Sequence, residues 1–212
     1  LILTFNADLA FFEKVVFGEL YSNGCRNIVI LMDPGHYAEE LKNSIPILNF
    51  VGQRYVCTAA TGVAGVRFHP KLILQTSEKR GRLFLGSGNL TLPGLTRNWE
   101  VVTCLEYDSN EPDQAIQAAF QAVLDYAQRL SQNAGIPSVA HRSIARLIAS
   151  TPWANPAIHD AGSFRALRVL DNLERSLWEQ VCATVPAPLK QVRIASPFFD
   201  PACKAFERLF ED

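Results

Sequence analysis

The run Asn27 to Met32, NIVILM, is the feature that most limits what this chain can become. A short, uninterrupted apolar run is what a strand buried on both faces presents, because neither side of its pleat meets water. A central sheet covered on both sides follows, and the neighbouring segments supply the covers. Leu1 to Asn6 reads as a strand. Leu9 to Tyr21 repeats apolar residues at helical spacing, with Asp8 placed as N-cap and Gly24 ending the helix. A polar helical turn around Tyr37 to Asn43 precedes two more strand-like segments, Arg54 to Ala59 and Val66 to Gln75, parted by the flexible Thr61 to Gly65. The polar stretch Thr76 to Gly81 reads as a hairpin turn into Arg82 to Gly86, and Trp99 to Tyr107 is the next strand. Asp113 to Leu130 is an amphipathic helix ending near Asn133 and Gly135. The class is therefore α/β.

Beyond residue 135 the pattern weakens. Ile136 to Gly162 reads as an irregular connection in which His141 to Ala149 can form a short helix. Leu170 to Val181 is expected to be helical, and Gln191 to Phe199 to be a strand, with Asp200 capping a helix that begins near Pro201. The stretches ILTFNAD, ending at Asp8, and IASPFFD, ending at Asp200, are both apolar strands closed by aspartate and followed by a Phe-containing helix. That is what a duplicated unit looks like when its second copy is cut short. The expected organisation is a first unit over 1–135, a connection over 136–190, and the opening of a second unit over 191–212. The chain starts at Leu1 without methionine and stops inside what reads as a helix, so it is expected to be part of a longer polypeptide.

Composition bounds the partners. With 48% hydrophobic and 19% charged residues and a formal charge of −1, the chain is globular, and nucleic-acid binding would need a local basic patch. Lys79, Arg80, Arg82 and Arg97 are the candidates, and each serves equally as a solvated loop charge. The cysteines, Cys25, Cys57, Cys104, Cys182 and Cys203, are odd in number, widely separated and never in a C-x-x-C spacing, so they read as small buried hydrophobes in a reducing compartment. No signal region and no bilayer-length apolar run is present, which leads us to expect a soluble, cytoplasmic protein with no membrane partner.

In VRFHPKLIL, His69 and Lys71 lie two apart on an expected strand and so share a face. An imidazole can attack phosphorus or protonate a leaving oxygen while an ammonium holds the phosphoryl oxygens, and neither task calls for a metal or cofactor. Alone, such a pair also suits an ordinary sheet surface. It is followed by LFLGSGNLTLPGL, in which Gly86, Ser87, Gly88 and Asn89 sit directly after a strand. Glycines and short polar side chains let backbone amides approach a phosphate, although a plain Gly-Asn turn has the same composition.

Taken together, His69, Lys71, Gly86, Ser87 and Asn89, with the continuation N-L-T-x-x-G-L and then Asn98 and Glu100, resemble the phospholipase D superfamily, and its nuclease-like branch more than its lipid-hydrolysing branch. The resemblance covers most of Leu1 to Leu130, and Ser196 to Asp200 is similar to the start of a second repeat. It implies a mixed β-sheet flanked by helices, in two repeats whose motifs meet at one cleft. It also implies His69 as nucleophile or general acid, Lys71 and Asn89 as ligands of the phosphoryl oxygens, and Ser87 as a hydrogen-bond donor. Glu100 is given a supporting role, accepting the second ring N–H of His69. The family aspartate is expected at position 76, where this chain has Thr76; Glu78 is no obvious substitute, and the turn to Gly86 is a few residues longer than the common spacing.

The implied activity is metal-independent phosphodiester cleavage, foremost of DNA or RNA, through a phosphohistidine. The alternatives are a phospholipase or phosphatidyltransferase, with Phe198 and Phe199 at an apolar entrance, and a catalytically decayed nucleic-acid-binding module. The family chemistry uses two histidines, and this chain holds one H-x-K; His36, His141 and His159 have no lysine two residues on. The second motif is expected from the rest of the polypeptide or from a homodimer partner. Helicases, restriction systems and antiviral or phage-defence complexes are the partners the resemblance implies.

Overall fold

The apolar run lies where its composition puts it: β2, Val29–Met32, is buried at all four residues. The computed structural model describes residues 1–61, 67–133, 135–154 and 167–184. It contains two compact units, Leu1–Val169 and Leu170–Asp212. In the first, β2 joins β1 (Ile2–Thr4), β3 (Val56–Ala59), β4 (Leu72–Thr76), β5 (Arg80–Gly86) and β6 (Val102–Asp108) in one sheet of order β3-β2-β1-β4-β5-β6. The first three strands are mutually parallel, with Ile2 opposite Ile30 and Ile30 opposite Cys57. From β1 to β4, β4 to β5 and β5 to β6 the pairing is antiparallel. The sheet is mixed and the class is α/β, as the sequence implies.

Between β1 and β2 the chain runs through α1 (Leu9–Phe11), a π-helical stretch Phe12–Val16, and α2 (Phe17–Ser22). Asp8 caps this helix, accepting from Phe11 N–H at 2.7 Å. The wider π turn sets Phe12 and Phe17, five apart, into the same core beside Ile30, Met32 and Tyr55. Within that turn Glu13 accepts from the N–H groups of Asn49, Phe50 and Val51 at 2.7, 2.9 and 3.1 Å, pinning the loop before β3. Asp33 then caps α3 (Pro34–Ser44) through Gly35 N–H at 3.0 Å.

α5 (Gln114–Asn133) packs on β6, and α6 (Ser138–Ala149) packs on β2, β3 and α5. The stretch 138–149, read from sequence as part of a connection, is thus a full helix lying on the sheet. Trp153 follows it, stacked on Tyr107 at 3.9 Å and edge-on to Phe120 at 5.1 Å. These rings stand over Gly81: a Cβ there would lie 2.6 Å from Phe120 and 2.7 Å from Trp153, so only glycine fits under them.

Three expected elements are shorter than their patterns. β4 begins at Leu72, five residues after Arg67, because Pro70 has no N–H to give a ladder. β6 begins at Val102, because Val101 N–H bonds the Ser87 hydroxyl at 3.1 Å in place of a strand carbonyl. In the second unit, α7 (Leu177–Thr184) is helical while 170–176 is not; the Asp171 carboxylate takes Leu173 N–H at 3.1 Å, a local bond that competes with a helix. Burial of the cysteines also divides: Cys57 is buried and Cys25 half-buried, whereas Cys104 and Cys182 are exposed. The expected second repeat over 191–212, with Phe198, Phe199, Asp200 and Cys203, lies outside the described residues, as does His159. Among the described residues no helix is long and apolar enough to cross a membrane.

Candidate active site

His69 and Lys71 stand in an extended segment just ahead of β4, and they meet although no strand carries them. Lys71 Nζ lies 2.8 Å from His69 Nδ1 and 3.1 Å from Nε2, and also donates to His69 O at 3.2 Å. An ammonium this close to both ring nitrogens disfavours a second positive charge beside it, so the arrangement favours the neutral imidazole. The electrostatics agree: burial first, and then the Lys71 charge, hold His69 below its ordinary 6.5. Burial likewise lowers Lys71, opposed by Glu100.

The glycine loop is joined to this pair by backbone. Gly86 N–H donates to Lys71 O at 3.1 Å, so Ser87 begins where Lys71 ends. The loop is then folded back on β1: Leu90 N–H bonds Thr4 Oγ1 at 3.2 Å, and Asp8 N–H bonds Leu90 O at 2.9 Å. Three glycines make the turn possible. A Cβ on Gly86 would lie 2.6 Å from Val101 O, one on Gly88 2.6 Å from Gly94 O, and one on Gly94 2.4 Å from Asn89 O. Thr91 caps the short α4 (Leu92–Thr96) through Gly94 N–H at 3.1 Å.

Glu100 lies ahead of β6, and its partners differ from those the sequence suggests. Its carboxylate accepts from Ser87 Oγ at 2.5 Å and from Asn98 Nδ2 at 3.2 Å, in place of the ring N–H of His69. The Ser87 bond is the main reason its pKa falls below the usual range, with Asn98 and the Lys71 charge adding to it. Glu100 therefore bears on His69 only through Lys71. The single Ser87 proton points at Glu100, and its lone pair takes Val101 N–H. Asn89 Oδ1 is buried without a hydrogen-bond partner, and turning the amide about its last bond would place Nδ2 there instead.

Three residues that the sequence reading did not assign gather around His69. The Phe5 ring, just beyond β1, meets the imidazole of His69 at 4.4 Å and that of His36 at 4.3 Å. Asp33, 2% exposed, accepts from Phe68 N–H at 3.2 Å. The signal in the sequence was the Asp33-Pro34 helix start directly after the buried strand, because open sheets place their sites at strand C-termini. Thr76, where the family aspartate is expected, takes a hydrogen bond from Thr151 Oγ1 at 2.7 Å and so ties β4 to the end of α6. His141 is exposed on α6.

Two of the expected basic groups are already paired. Arg80 meets Asp108 at 2.8 Å and Arg82 meets Glu106 at 2.7 Å across β5 and β6, leaving Lys79 and Arg97 exposed. Among the described residues no three His, Cys, Asp or Glu side chains gather as metal ligands.

No family profile and no curated protein sequence matches this chain. Among solved structures, yeast tyrosyl-DNA phosphodiesterase is similar at a TM-score of 0.43 and 14% identity, over 68% of this chain. The chain spans 34% of that protein's length, a likeness too slight to assign a fold or an activity.

Proposed function

We propose that this surface is one half of a phosphodiesterase site, acting on DNA or RNA. The observation that carries the reading is the Lys71 ammonium 2.8 Å from the His69 ring, with its backbone bonded to the glycine loop. A phosphodiester arriving there gives Lys71 better acceptors than the imidazole ring. As Lys71 turns to the phosphoryl oxygens, the neutral His69 nitrogen is freed to attack phosphorus. A nitrogen–phosphorus bond forms as the bond to one ester oxygen breaks, and that oxygen leaves with a proton from a second imidazole. Water then attacks the phosphohistidine and gives its proton to the second imidazole; the nitrogen–phosphorus bond breaks, the neutral His69 ring returns and the phosphomonoester leaves. The Asn89 side-chain amide donor, together with loop amides not spent within the fold, holds the phosphoryl oxygens. Ser87 fixes Glu100, which steadies the Lys71 charge. The second imidazole comes from the rest of the polypeptide or from another copy of the chain.

Because the nucleophile is the neutral ring, kcat/KM rises with pH through the His69 pKa. Burial and Lys71 hold that pKa down, so the acid limb falls below pH 6.5.

The test is incubation of the full-length protein with single- and double-stranded DNA, RNA and phosphatidylcholine in EDTA, beside His69→Ala. The expected result is chelator-resistant cleavage of nucleic acid that drops by at least about a thousandfold in the variant, the range seen when a nucleophile is removed. Loss of cleavage in EDTA defeats the metal-free chemistry, cleavage of lipid alone moves the substrate, and nucleic-acid binding without cleavage points to a binding module.

A further inference from the structure

The segment carrying His69 has no strand ladder along it, so its position depends on other anchors. Downstream, Gly86 N–H holds Lys71 O at 3.1 Å. Upstream, Phe68 N–H donates to Asp33 Oδ2 at 3.2 Å. The other carboxylate oxygen, Oδ1, takes Gly35 N–H at 3.0 Å, so one side chain binds both the first turn of α3 and the residue before His69. Asp33 is 2% exposed, and a carboxyl group buried that deeply persists only where donors meet it. Its third neighbour is Arg67, at 3.9 Å, whose own side chain is 75% exposed. The turn that Asp33 caps also carries His36, and Phe5 packs against the imidazoles of both His36 and His69.

We propose that Asp33 is the positioning residue of His69: it fixes the backbone through Phe68 and holds a buried carboxylate one residue away from the imidazole-bearing position. The catalytic consequence rests on the phosphodiesterase reading; the positioning does not. When a ring nitrogen attacks phosphorus the imidazole becomes cationic, and a fixed carboxylate nearby stabilises that charge without reorganising.

The groups that face His69 act in opposite directions. Burial, Lys71 from its own segment and His36 from α3 lower its proton affinity; Asp33 raises it. Arg67 stands beside Asp33 and offsets its charge, while Glu100 acts on Lys71 from the loop side. Two substitutions of the full chain therefore move His69 oppositely. Asn at position 33 still caps a helix, but with its oxygen on Gly35 it turns an amide donor toward the Phe68 donor and carries no charge. In Asp33→Asn the His69 imidazole, followed by NMR and assigned with His69→Gln, titrates at lower pH, and the Phe68 amide exchanges faster while α3 stays protected. In Arg67→Gln, a change on an exposed side chain, His69 titrates at higher pH while the Phe68 amide, its Asp33 partner intact, keeps its protection. Where cleavage is measurable, Asp33→Asn lowers kcat about tenfold at unchanged KM, in line with other residues that orient a reacting group. A His69 titration that stays put in both variants, or moves the same way in both, overturns the proposal. Wild-type protein that cleaves no phosphodiester defeats the functional reading alone, since the titrations still decide Asp33.

Discussion

In the parallel half of the sheet, β3-β2-β1, the central strand is buried at all four residues, whereas β6, at the antiparallel edge, buries Tyr107 and leaves most of its other residues exposed. The parallel half is held by apolar area removed from water on both faces. The antiparallel half is held by its ladder, by the rings over Gly81, and by two cross-strand ion pairs in register, Arg82 with Glu106 and Arg80 with Asp108. The difference explains where the site lies. β4 runs against β1, and β5 against β4, so the ends of β1, β2 and β5 and the starts of β4 and β6 fall at one end of the sheet. That end collects Phe5, Asp33 and His36 from the parallel half and His69, Lys71, Ser87, Asn89 and Glu100 from the antiparallel half.

The contrast can be tested by substitution. Ile30→Ala, at a position 0% exposed in the centre of the parallel half, is expected to destabilise by about 2–5 kcal/mol in urea unfolding, as large-to-small core changes do. A change below about 1 kcal/mol would mean that the parallel half is not the core of this fold. Gly81→Ala drives a methyl into Phe120 and Trp153, and a loss of about 1–3 kcal/mol with altered near-ultraviolet circular dichroism is expected. Unchanged stability there would show that the aromatic lid is loose. Arg82→Gln removes one half of an exposed pair whose side chains are each 62% accessible, and the effect should stay under about 1 kcal/mol and vanish in high salt. A larger effect would give the antiparallel edge a charge-based stability it is not expected to have.

The class and most of the elements could be read along the chain because each rests on local periodicity: β2 on its apolar run, the Leu9 helix on Asp8 and its spacing, α5 on its amphipathic face. Strand limits were less legible. Pro70 could have moved the start of β4, but the start of β6 depends on a bond from Val101 to Ser87, fourteen residues upstream, that no local pattern announces. The site divides the same way. His69, Lys71 and the Gly86 to Asn89 loop are neighbours in sequence, and the structure joins them by backbone. Asp33, His36 and Phe5 reach His69 only because the sheet reverses direction between β1 and β4.

The α/β class, the buried strand and the nearness of an imidazole to an ammonium two residues on are written in the order of residues, since these follow from side-chain chemistry at short range. Tertiary structure decided what each of those groups faces. It turned Glu100 toward Ser87, spent the Ser87 proton on that carboxylate, occupied Thr76 with Thr151, and bonded a buried carboxylate to the residue before His69. The physical reason is that a hydrogen bond is fixed by distance and direction, and for residues thirteen or more apart both are set by the sheet.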